Sequence, residues 1–99
     1  MSIKRSRNFP STHPGTVFKR RVLDRHEISI KEAAEKLHVT RAHLSRFVNG
    51  NVGVKVDFAL RLEKASGISA QFWMNLQQAY DLHMKRDEVI DCEELYEYA

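Results

Sequence analysis

Two arginines five residues apart, Arg41 and Arg46, carry guanidinium forks whose paired N–H groups match the O6 and N7 acceptors of guanine in a major groove. Between them stand Ala42, His43 and Ser45. With the arginines, these are the outward positions of a short amphipathic segment. All but Ala42 can hydrogen-bond, and Ala42 offers a methyl to the methyl of thymine. This is chemistry for reading base edges. The bland alternative is the solvated face of any amphipathic helix, and only the surrounding elements can decide between the two.

Other chemistries find little support. The five histidines, at 13, 26, 38, 43 and 83, form neither a His-Glu-x-x-His pair nor a Cys/His finger spacing, so no metal is expected. Cys92 lies among carboxylates that oppose thiolate formation, which makes it a poor nucleophile. No glycine-rich phosphate loop is present. Glu93 and Glu94 sit on a segment with no rigid support, which cannot preorganise catalysis. The chain is therefore read as no enzyme, with no cofactor.

The elements that must position the arginines lie within residues 29–50, SIKEAAEKLHVTRAHLSRFVNG. Apolar residues recur at helical period at Ile30, Ala33, Ala34 and Leu37, then at Leu44, Phe47 and Val48, with a break at His38-Val39. Ser29 with Glu32 reads as a capping box, and Thr40 as a second N-cap. Val39 and Leu44 are spaced as a hydrophobic staple. A tight turn between two helices, the second offering its N-terminal residues outward, is the layout of a helix-turn-helix. Small Ala34 lets the helices approach. His38 stands where a glycine is usual, and it tolerates a left-handed backbone less well.

Ninety-nine residues make one domain with a modest core. No apolar run reaches membrane-spanning length, and the basic N-terminus lacks the apolar region of a signal peptide. A single cysteine gives no intramolecular disulfide, and a cytoplasmic protein is the simplest reading. The net charge of +3 hides an asymmetry. Residues 1–80 hold 14 Lys/Arg against 6 Asp/Glu, a net +8, while residues 81–99 hold 2 against 7, a net −5. A basic body suits a polyanion. An acidic tail suits a basic partner or plain solubility.

Three regions follow. Residues 1–12 read as a flexible basic arm, either lying along phosphates or a minor groove or simply disordered. Residues 13–84 form the helix-turn-helix domain, with the motif at 29–50. Residues 85–99 are an acidic C-terminal tail, a short strand or a loose amphipathic segment. Within the domain, a first helix starts near Pro14 and runs to about Arg25 on a stripe of Val17, Phe18, Val22 and Leu23. Lys19, Arg20, Arg21 and Arg25 cover its other face. Asn49-Gly50-Asn51 marks a turn. A further helix, VDFALRLEKAS, turns Val56, Ala59, Leu60 and Leu62, with Phe58, inward and stops at Gly67. Ser69 caps the last helix, with Ile68 and Trp73 as its staple. That helix is apolar on more than one face. Phe72, Trp73, Leu76, Tyr80 and His83 are candidates for a dimer interface, the alternative being that all of it packs on its own core. The total is five helices.

HPGTVFKRRVLDRHEISIKEAAEKLHVTRAHLSRFVNG, followed by ISAQFWMNLQQAYDL, resembles the HigA-type antitoxins of bacterial toxin–antitoxin operons. These belong to the Xre group of phage-repressor-like regulators, and some relatives are called virulence-associated protein I. The resemblance covers about residues 13–83 and is carried by His13-Pro14-Gly15 and the run Phe72-Trp73, Asn75-Leu76, Gln77, Ala79-Tyr80, Asp81-Leu82. The family usually has Leu-Gly where His26-Glu27 stands here. It also usually opens the fourth helix with Ser/Thr-Pro-Glu where this chain has Lys55-Val56-Asp57, a weaker cap that leaves the loop 51–55 looser.

The resemblance implies an all-α, λ-repressor-like five-helix domain with a C-terminal extension. It implies a homodimer to which the last helix and the extension contribute. It also implies a HigB-type partner, a small mRNA-cleaving toxin of RelE-like fold, with the pair repressing its own operon. By position, Thr40, Arg41, Ala42, Ser45 and Arg46 match repressor residues that meet DNA, and His43 is similarly placed. The expected function is a DNA-binding repressor and antitoxin. The expected operator is an inverted repeat with half-sites one helical turn apart. Two rivals stand beside it: an Xre-type regulator with no toxin partner, and an interaction module whose motif no longer touches DNA.

Overall fold

The computed structural model describes residues 12–98. The basic arm assigned to residues 1–12 lies outside them except for Thr12. Helix α1, Pro14–Phe18, continues as a π-helical stretch, Lys19–Asp24. The continuation reaches the length that the apolar stripe predicts but in the wider form, which the stripe does not reveal. Its i→i+5 geometry brings Lys19 and Asp24 to one face, where they pair at 3.0 Å. Half exposed, that pair adds little stability.

Helices α2 (Ile30–Leu37), α3 (Arg41–Val48), α4 (Val56–Ser66) and α5 (Ala70–Lys85) follow. Ser29 Oγ accepts from Glu32 N–H at 3.0 Å, Thr40 Oγ1 from His43 N–H at 3.0 Å, and Ser69 Oγ from Phe72 N–H at 3.1 Å. Each removes one of the orphan donors of a helix start. Only half of the capping box at Ser29 forms, because the Glu32 carboxylate turns instead to Lys36, 3.1 Å away. The staple at Ser69 gains a hydrogen bond, Trp73 Nε1–H to the Ile68 carbonyl at 3.2 Å.

Helix ends are as regular as helix starts. Glu27, His38, Gly50 and Gly67 all take the left-handed conformation, with φ of 54°, 59°, 81° and 78°. At the first three, paired bonds of the Schellman type close the turn, such as Val39 N–H to Ala34 O at 3.1 Å with His38 N–H to Glu35 O at 3.2 Å. Arg61 caps α2 from a distance, donating from Nη1 to the carbonyls of Leu37 (2.9 Å) and His38 (3.3 Å).

The core lies where α1, α3, α4 and α5 meet. Phe47 sits at its centre, 5.8 Å from the Phe18 ring and 4.9 Å from Phe58, and Trp73 stacks edge-on against Phe18 at 6.0 Å. Ala34 and Ala59 are fully buried, small enough to let the helices close. The stripe of α4 is Phe58, Ala59 and Leu62. Val56 and Leu60, expected inward, are 60% and 52% exposed. Their i,i+4 pairing puts both on the opposite side of a helix whose phase is set by the larger Phe58 and by Leu62.

Residues 89–98 are neither helix nor strand, so the short strand considered for the tail does not form. Among the described residues no helix is long and apolar enough to cross a membrane.

Candidate nucleic-acid interface

The rotation of α3 about its axis is fixed by two residues. Leu44 and Phe47 are both completely buried. With these inward, Arg41, Ala42 and Arg46 are exposed, Ser45 is half-buried, and Thr40 stands exposed at the N-cap. At about 100° per residue, Arg41, Ser45, Ala42 and Arg46 share an arc of about 140°. The Thr40 hydroxyl accepts from the backbone of His43 and keeps its own hydrogen to donate. Backbone N–H groups at the start of α3 point along the helix axis beyond its N-terminus, a natural anion site.

His43 departs from this set. Its ring packs edge-on against Phe58 at 5.0 Å, and its Nε2 is buried without a hydrogen-bond partner in the structure. In the free chain that nitrogen is not among the groups that α3 exposes. The cause is helical phase: position 43 falls beside Phe47 on the wheel, at the margin of the buried stripe. Asn49, read as part of a turn, is exposed and falls within the arc of Arg41 and Arg46.

The C-terminal end of α3 is held by the triplet His13-Pro14-Gly15. His13 is the N-cap of α1, its Nδ1 accepting from Gly15 N–H at 2.9 Å. Its ring lies 5.9 Å from Phe47 and 4.9 Å, edge-on, from Tyr80. Burial pushes the His13 pKa below its ordinary value, against a backbone hydrogen bond with Val52 and the charge of Asp81, which both raise it. Burial thus favours the neutral imidazole, the form that an accepting Nδ1 requires. Gly15 is there for closeness: a Cβ on it would lie 1.8 Å from the Phe47 carbonyl oxygen.

The loop after α3 is not loose. Val54 is buried, and its N–H donates to Gln77 Oε1 at 2.8 Å. Gln77 Nε2 in turn donates to Asp81 Oδ1 at 2.9 Å. This tie replaces the missing side-chain cap at Lys55. Motif reading names Gln77 only as part of the resemblance and misses its positioning role, since nothing at a separation of 23 residues announces the contact.

On α5, Phe72, Leu76, Tyr80 and His83 are half-buried. Trp73 does not belong with them. It is 0% exposed, locked between Phe18 and Phe72 in the chain's own core, and has no surface to give a second copy.

Comparison with known proteins gives the family and the fold. The helix-turn-helix model HTH_3 matches residues 19–73. Virulence-associated protein I of Dichelobacter nodosus is 36% identical over 89 residues, covering 89% of this chain and 82% of the relative. Among solved structures, PA4674 of Pseudomonas aeruginosa in complex with its 18-bp operator DNA superposes with a TM-score of 0.72. It is 36% identical, covering 76% of this chain and 80% of that one. The antitoxin HigA of Pseudomonas aeruginosa, solved with the higBA promoter, superposes with a TM-score of 0.76. It is 33% identical, covering 87% of this chain and 99% of that one.

Proposed function

The chain belongs to the HTH_3 helix-turn-helix family, and from that premise we propose that it is a cytoplasmic, DNA-binding repressor of its own operon and the antitoxin of a HigBA-like toxin–antitoxin pair. The observation that carries the DNA half is the exposed arc of Arg41, Ala42 and Arg46 on a helix whose other face, Leu44 and Phe47, is fully buried. Arg41 and Arg46 read base edges, with guanine as the best match to a bidentate guanidinium. Thr40 and Ser45 anchor phosphate, as hydroxyl donors do, and set the register of the helix on the duplex. Ala42 packs on a thymine methyl.

The protein works as a homodimer through the exposed parts of α5, with Phe72, Leu76, Tyr80 and His83 at the contact. Two-fold symmetry then sets two copies of α3 roughly 34 Å apart, so the operator is an inverted repeat at one helical turn. Residues 13–84 are the DNA-binding domain, and 85–99 a separate acidic extension. Its role is binding rather than catalysis. Kinship with the HigA of Pseudomonas aeruginosa supports the antitoxin half, in which the partner is a small RelE-like toxin that cleaves mRNA.

Co-expression with the neighbouring gene, with a tag on this chain alone, and native mass spectrometry of the eluate test that half. A complex of two copies with a small basic protein is the expected result. A bare homodimer that binds its own promoter would leave a plain repressor and remove the antitoxin role.

A further inference from the structure

Four parts of the fold meet at one buried imidazole, His13. Its Nδ1 accepts from Gly15 N–H at 2.9 Å and caps α1. A backbone hydrogen bond joins the ring to Val52, in the loop that leaves α3. The ring also meets Phe47 of α3 at 5.9 Å and, edge-on, Tyr80 of α5 at 4.9 Å.

The groups that could hold or repel a proton at this junction are few. With Nδ1 accepting, the single ring hydrogen of the neutral imidazole lies on Nε2. Burial disfavours a charged ring, against the Val52 bond and the Asp81 carboxylate, which favour it. From α5 come Asp81, which also accepts from Gln77 at 2.9 Å, and the Tyr80 phenol. From α3 comes Phe47, and from the loop come Gly50 and the backbone of Val52, none of which titrates.

A further proton has one place to go, Nδ1. There it meets the Gly15 N–H, and two donors cannot share one 2.9 Å contact. The cap must open. The effect reaches α3 because the two helices touch without slack. Pro14 is fully buried, and a Cβ on Gly15 would lie 1.8 Å from the Phe47 carbonyl oxygen.

We propose that His13 is a pH-sensitive latch on DNA binding: a proton taken up at Nδ1 releases the start of α1 from the C-terminal end of α3 and weakens the hold on the operator. The inference rests on the DNA-reading role of α3 proposed above and adds a condition under which it is withdrawn. The sign is diagnostic. A histidine that merely gains charge in acid strengthens attraction to a polyanion, whereas the latch weakens it. The operator complex needs the closed latch, so it takes up this proton less readily than the free chain. Affinity then falls by about tenfold for each pH unit below the free chain's His13 pKa, until the complex itself is protonated.

Wild type and His13→Asn are titrated against the promoter of the chain's own gene at fixed salt, from about pH 7.5 down to about 5. Circular dichroism is recorded at each pH. The variant's amide oxygen can still accept from Gly15 N–H and does not titrate. The ring shifts of His13, followed by NMR in the wild type with and without DNA, give its pKa in each state and serve even if the variant fails to fold. Three results are expected: the wild type loses about tenfold in affinity with its helicity intact, His13→Asn shows no such loss, and the His13 pKa is lower in the complex. Parallel profiles for the two chains, equal ring pKa values in both states, or helicity lost in step with affinity would each overturn the latch and leave the DNA reading standing. A wild type that binds no promoter DNA even at the upper end of the range overturns the DNA reading, and the latch with it.

Discussion

Gln77 and Val54 are joined across 23 residues by a single hydrogen bond, the Gln77 Oε1 accepting the Val54 N–H at 2.8 Å. The bond ties α5 to the loop that leaves the C-terminal end of α3. The helix assigned to dimerisation and the helix assigned to DNA therefore share a strut. Gln77→Ala leaves the N–H of buried Val54 unpaired, at a cost of about 1–3 kcal/mol. Urea unfolding should show that loss. Operator affinity should fall evenly across operator variants, because the loop is displaced and no base contact is removed.

Two helix ends carry a side chain where the backbone favours glycine. Glu27 and His38 sit at φ of 54° and 59°. A Cβ in the left-handed region costs about 1–2 kcal/mol. Glu27→Gly and His38→Gly should each stabilise the fold by about 1 kcal/mol, after the greater flexibility of glycine in the unfolded chain is offset. For a domain of this size that is a rise in Tm of about 4–8 °C, read by calorimetry. A fall in Tm for either variant would show that the side chain does something beyond tolerating the turn.

His13 predicts a pH dependence with a definite sign. Its folded-state pKa is pushed below the ordinary 6.5 by burial. A depressed value means that the unfolded chain takes up the proton more readily. The His13 contribution to stability is therefore complete above about 6.5 and is lost as pH falls through the lower folded value. Protonation puts a hydrogen on Nδ1, the atom that accepts from Gly15. The difference in stability between the wild type and His13→Asn, which keeps an N-cap acceptor, should shrink between pH 7.5 and 5.

What was legible in the sequence was local. Ser29, Thr40 and Ser69 announce helix starts because a cap acts within three residues, and Leu44 with Phe47 fixes the face of α3 by period alone. The order of five helices and the exposure of Arg41, Ala42 and Arg46 follow from those signals. What was hidden depends on contacts between elements. The inward turn of His43 needs Phe58 beside it, the burial of Trp73 needs Phe18, and the firm loop 51–55 needs Gln77. Val56 and Leu60 mislead because an apolar pair at i,i+4 looks like a core stripe until a larger neighbour, Phe58, sets the phase.

The most direct test of the central claim is a base-by-base binding scan of Arg46→Ala. Wild type and variant are titrated, at one fixed salt concentration, against the promoter of the chain's own gene and each single base-pair change in it. If α3 reads sequence through Arg46, the variant loses about 1–3 kcal/mol on the native site and no longer discriminates at one base step per half-site. An equal loss on every sequence, together with a salt slope reduced by about one, would make Arg46 a phosphate contact and contradict the reading of α3 offered here.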